Sequence, residues 1–198
     1  MDFKSGGTLL WIVCFIIVEI YGQTTCPPPE NIHPCICTHR GSDLQVWCTH
    51  SDLMQVSKGL QNTGKFIENE VDEVIIENNY LPSLPGKLFQ NIKILRLMLR
   101  NNGIERVSAA WLESQEDSLV EIYIVENDLK SIPAESIMKL RNLQALTIRS
   151  SSLKRIPTLM NMPRLVYINV QSESFNVINE HTFEDLPNLE RLYIKGSL

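Results

Sequence analysis

The chain has 198 residues, 43% of them hydrophobic and 21% charged, with a formal net charge of −5. Lysine, arginine, aspartate and glutamate are mixed along its length without a basic face, so nothing points to nucleic acid, whose phosphates call for a basic patch. No Asn-x-Ser/Thr triplet occurs, so N-linked glycan is not expected.

At the amino terminus Lys4 precedes an apolar run from Leu9 to Val18, and Ile20-Tyr21-Gly22 offers a small residue for cleavage. Residues 1–22 therefore read as a secretory leader, with the mature chain starting near Gln23. A membrane anchor is the rival reading, but a spanning helix needs ~20 apolar residues. Glu19 interrupts this run at about half that length. No later stretch is apolar enough to span a bilayer, so the mature chain is predicted to carry no membrane span.

Cys14 leaves with the leader, and the remaining four cysteines, Cys26, Cys35, Cys37 and Cys48, fall within 23 residues. In an oxidising compartment an even set reads as two disulfides stapling one end of the domain, and its three possible pairings stay open. His33, His39 and His50 lie in the same segment, which makes zinc the rival reading. The spacing lacks the paired Cys-x-x-Cys of convincing zinc sites, and export favours oxidation.

From Val71 onward one spacing recurs. Val71-x-x-Val74-x-Ile76-x-x-Asn79-x-Leu81 returns from Ile94, Leu119, Leu143 and Leu165, and a sixth, incomplete copy runs from Leu189. The steps are 23, 25, 24, 22 and 24 residues, the period and pattern of leucine-rich repeats. The expected fold is an α/β leucine-rich repeat solenoid: a curved parallel sheet on the concave side, an irregular or short-helical convex side, and a disulfide-closed N-terminal cap. The division is 1–22 leader, 23–57 cysteine-rich cap, 58–70 connecting segment and 71–198 repeats.

Each copy supplies a short strand with alternate side chains inward. Val74, Leu97, Ile122, Leu146, Ile168 and Leu192 should form one core column, and Ile76, Leu99, Ile124, Ile148, Val170 and Ile194 the next. Phe89, Leu112, Ile137 and Phe183 should fill the space beneath the convex side. Pro157 and Pro163 predict an irregular fourth return, with single helical turns possible in the others. Asn79, Asn102 and Asn127 sit where the chain leaves the strand and can bond buried backbone groups of adjacent coils. Ser151 replaces this only in part, and Glu173 is expected to turn to solvent.

Cys26-Pro27-Pro28…Cys35-Ile36-Cys37…Cys48 resembles the amino-terminal cap of extracellular leucine-rich repeat proteins, and Val46-x-Cys48-x-x-Ser51-x-Leu53 continues the repeat spacing into it. The resemblance implies the pairs Cys26–Cys37 and Cys35–Cys48. More narrowly, residues 26–37 look like the start of arthropod secreted proteins similar to the non-catalytic subunit of Oplophorus-luciferin 2-monooxygenase. That likeness implies a companion protein and no luciferase chemistry. Members of the broad family usually close with a second cysteine-rich cap, whereas this sequence stops inside its sixth copy, so a truncated chain is expected.

No catalytic motif stands out, so the reading is non-enzymatic and without cofactor. Carboxylate pairs such as Asp72-Glu73 and Glu184-Asp185 read as solvated surface. The expected function is secreted protein recognition through the concave face. Its central outward row is Ile75, Met98, Tyr123, Thr147, Asn169 and Tyr193. One flank reads Glu73, Arg96, Glu121, Ala145, Tyr167 and Arg191, the other Glu77, Arg100, Val125, Arg149, Gln171 and Lys195. The candidate contact residues are Ile75, Arg96, Met98, Arg100, Tyr123, Val125, Arg149, Tyr167 and Tyr193, a composition rich in the aromatic, Met and Arg side chains of interface cores. The alternatives are a companion subunit of an exported oxidase and the severed ectodomain of a receptor.

Overall fold

A computed structural model describes residues 25–197, so the expected leader lies outside the described residues. The cap opens with a single helical turn, α1 (Pro29–Ile32), and an antiparallel hairpin of β1 (Cys35–Arg40) and β2 (Asp43–Thr49). Disulfides join Cys26 to Cys37 and Cys35 to Cys48, the second between residues directly opposite in the hairpin register.

Helix α2 (Leu53–Phe66) follows, and its start is written locally: the Asp52 side chain accepts from the Gln55 amide at 3.0 Å, a cap for an otherwise orphaned donor. Val56, Gly59, Leu60 and Thr63 recur on one face and are buried. At two glycines of the helix the approach is too close for any side chain. A Cβ at Gly59 would lie 2.8 Å from both Cys35 Sγ and the Ile32 carbonyl, and one at Gly64 would strike the Asn91 backbone. Residues 58–70 thus begin inside the helix that locks the cap to the first repeat.

The repeats then alternate long inner strands with short outer elements. In chain order these are β3 (Val71–Glu77), β4 (Ser83–Leu84), β5 (Ile94–Arg100), β6 (Arg106–Val107) and β7 (Glu121–Val125). Helix α3 (Ala134–Met138), β8 (Ala145–Arg149), β9 (Leu159–Met160), β10 (Tyr167–Gln171), β11 (Phe183–Glu184) and β12 (Arg191–Lys195) complete the described chain. One eight-stranded sheet runs β1-β2-β3-β5-β7-β8-β10-β12, parallel throughout after the β1–β2 hairpin.

Register converts the sequence period into columns. Val46, Val74, Leu97, Ile122, Leu146 and Ile168 pair in line, and each is at most 1% exposed. At about 2 kcal/mol for each fully buried aliphatic side chain, these columns are the main stabilising term. The line ends differently: Leu192, the same position in β12, is 46% exposed.

Beneath the sheet the return segments close the core. Phe89 and Trp111 meet edge to face at 6.4 Å, and the Trp111 indole N–H donates to Ser136 Oγ at 3.0 Å. Buried Gln115 stitches two returns: Nε2 donates to the Phe89 and Ile92 carbonyls, and Oε1 accepts from the Ile94 amide. Of the positions expected to fill this layer, Phe89, Leu112 and Ile137 are buried and Phe183 is half-buried. A helix forms only in the third return, as α3. The proline-bearing fourth return makes the two-residue strand β9, paired with β11.

Because burial at a column position comes from the neighbouring coil, equivalent leucines should differ in worth. Leu97→Ala should cost about 2–5 kcal/mol in urea unfolding. Leu192→Ala in this chain should cost less than about half as much, and equal losses would refute stacking as the source of burial.

Candidate functional site

The outward face of the sheet is held in place by a polar spine at the strand ends. Asn79 Oδ1 accepts from the Ser51 amide at 3.0 Å, while Nδ2 donates to the Cys48 carbonyl and to Asn102 Oδ1. Asn102, fully buried, passes the chain on: Nδ2 donates to the Ile76 carbonyl and to Glu126 Oε1. Glu126 is 1% exposed and also accepts from the backbone amides of Asn102 and Ile104.

Asn127 is not part of this spine. It is exposed, and only its backbone carbonyl takes part, accepting from the hydroxyls of Ser150 and Ser151. The phase has slipped by one residue for a backbone reason. After β3 and β5 a left-handed residue, Asn78 or Asn101 (φ 55° and 54°), precedes the spine asparagine. The turns after β7, β8 and β10 contain no left-handed residue, and the buried polar side chain comes one position earlier, as Glu126, Ser150 and Ser172. Glu173 is exposed, as the sequence led us to expect.

On the open face the candidate residues fall into two groups. Toward the cap the face is closed by pairing. Arg96 meets Asp43 at 2.7 Å, and Gln45 bonds Glu73. Glu77, 6% exposed, receives both Arg100 and the Trp47 indole N–H. Trp47 stands directly opposite Ile75 in the register, and Ile75 is only 8% exposed, so this candidate sits under its neighbours rather than at the surface. Trp47 was absent from the candidate set, although Val46-x-Cys48 on the repeat template already points it outward.

Beyond β5 the face opens. Met98, Tyr123 and Val125 are half-exposed. The short side chains of Thr147 and Asn169, 7% and 6% exposed, form a floor between Tyr123 and the aromatic pair Tyr167 and Tyr193. Those two rings are 5.8 Å apart, and the Arg191 guanidinium lies over Tyr167 at 5.1 Å. Asn169 Nδ2 donates to the Tyr167 hydroxyl and Gln171 Nε2 to Asn169 Oδ1, which orders the floor along β10. Arg149 and Lys195 are exposed and form no ion pair among the described residues.

The four cap sulfurs are consumed in disulfides, which removes the thiolate donors that a zinc site there would need. Among the described residues no helix is long and apolar enough to cross a membrane.

Burial pushes the Glu126 carboxyl above the ordinary carboxylate range, against the opposing pull of the hydrogen bonds from Asn102 and Ile104. A raised value means the folded chain holds this proton more tightly than the unfolded chain. The resulting stabilisation is present at low pH and is lost as pH climbs from the ordinary range through the raised value. Urea unfolding of the wild type and Glu126→Gln between about pH 4 and pH 7 isolates the effect: the wild type should lose stability relative to the variant as pH rises. A wild type that instead gains stability relative to the variant as pH rises would show that the amide donors outweigh burial.

Comparison with known proteins agrees with this geometry. The family model for the leucine rich repeat matches residues 117–175. Mouse (Mus musculus) keratocan is 28% identical over 184 residues, covering 88% of this chain and 46% of its own. Mouse podocan is 26% identical over 132 residues, covering 65% and 21%. Human (Homo sapiens) oligodendrocyte-myelin glycoprotein is 24% identical over 207 residues, covering 92% and 43%. The chain spans less than half the length of each of these relatives. Matched repeat, in-register parallel strands and a disulfide-bonded cap together give this chain the α/β leucine-rich repeat solenoid fold with an N-terminal cap.

Proposed function

We propose that the chain is a secreted, non-catalytic scaffold that recognises a protein partner through its concave face. The observation that carries this reading is the contrast along the sheet. Near the cap, polar and charged side chains satisfy one another, while from Met98 to Tyr193 tyrosines, a methionine and unpaired cations stand open around a sunken floor. Aromatic, Met and Arg side chains are the groups enriched at interface cores, and tyrosine brings a large apolar body with a polar tip. Both cap disulfides fit an oxidising compartment, which supports export.

The resemblance of residues 26–37 to companion-subunit proteins supports a narrower version, in which the partner is an exported oxidase. Co-purification with an oxidase would pick that version out.

Paired replacement of Met98 and Tyr123 by Asp tests the site. Both side chains are half-exposed and outside the core columns, so the urea midpoint should move little. Affinity capture of partner from native extracellular fluid should weaken by at least about thirtyfold, the loss of ~2 kcal/mol typical of a hot spot. Undiminished capture would move the binding surface to the convex side or the cap.

A further inference from the structure

Two of the open cations converge on one place. Arg149, Gln171 and Lys195 end β8, β10 and β12 and pair in a single row. With strands ~4.8 Å apart, the two cations sit roughly 10 Å apart at the backbone. Their side chains are long enough to meet over the residue between them. That residue does not block the space, because Gln171 Nε2 is drawn along its own strand to Asn169 Oδ1 at 2.9 Å. The same three side chains line an open cleft of about 370 Å³, shared with Glu173 and the serine-rich turns after the strands.

We infer that this cleft is an anion subsite that takes one carboxylate of an acidic segment on the partner protein, held between the Arg149 guanidinium and the Lys195 ammonium. The charge balance selects the ligand. Two cations and the single Glu173 carboxylate leave a net charge of about +1, enough for one anionic side chain and poorly suited to a densely sulfated polymer. The guanidinium presents a planar fork to a carboxylate, whereas the ammonium acts as a point charge from the other side. The equivalent cation nearer the cap, Arg100, is neutralised by Glu77, while Arg149 and Lys195 form no ion pair among the described residues. Beside the cleft, Tyr193 and Tyr167 offer an apolar ledge for the peptide that carries the acid.

This inference rests on the concave-face reading above and deepens it. The full mature chain is titrated with a hexaglutamate peptide and, separately, with a heparin tetrasaccharide. Hexaglutamate should bind in a salt-dependent manner and lose about tenfold in affinity in Arg149→Gln/Lys195→Gln, with a change below about twofold in the exposed control Arg164→Gln. No binding of hexaglutamate, equal binding by the double variant, or tighter binding of the heparin fragment would each overturn the assignment. The two readings fail separately. Hexaglutamate that binds at these cations while the Met98/Tyr123 replacements leave partner capture intact refutes only the wider face. Capture lost in those replacements, without any hexaglutamate binding, refutes only the subsite.

Discussion

A coil of some two dozen residues has one inward strand and one return, and it cannot cover its own apolar interior. Every feature of this molecule follows from solving that problem by stacking. The column from Val46 to Ile168 is buried because each member has a paired strand on both sides, while chemically equivalent Leu192, in the last described strand, is 46% exposed. At the other end the problem is solved covalently and sterically: an antiparallel strand, two disulfides and a helix with glycines at its contact points replace the missing neighbour.

Stacking leaves one surface free of structural duty. Core columns and returns hold the sheet from beneath, so the exposed outward side chains carry little of the fold's stability. Here they fall into a self-satisfied half and an open half. Near the cap, long charged groups reach across strands, as Arg96 does over β3 to Asp43. Past β7 the acidic partners run out, and what remains is tyrosine, cations and a low polar floor. Exposed pairs of this kind add little stability, so their main effect is to decide which part of the face remains available to another molecule.

The spine at the strand ends links the two. It begins with asparagines that donate and accept, passes through a buried glutamate that only accepts when ionised, and continues with serine hydroxyls that donate to carbonyls. The donors that Glu126 receives are backbone and side-chain amides, so a carboxylate fits where an asparagine was expected. Its cost is desolvation, which raises the Glu126 carboxyl and couples this joint to pH.

The repeat period, the core columns and the existence of a cysteine cap were legible in the amino-acid sequence, because they rest on local spacing that stacking merely propagates. The row containing Met98, Tyr123 and Tyr193 was legible for the same reason: strand alternation alone puts those side chains outward. What the tertiary structure decided were matters of partnership between residues 23 to 53 positions apart. Ile75 lies under Trp47, Arg100 is spent on Glu77, Arg149 and Lys195 form no ion pair among the described residues, and Glu126 takes the place foreseen for Asn127 once the turn loses its left-handed residue. A side chain's direction is fixed by its own strand, but its burial and its charge balance are fixed by the neighbouring coils, and only folding brings those together.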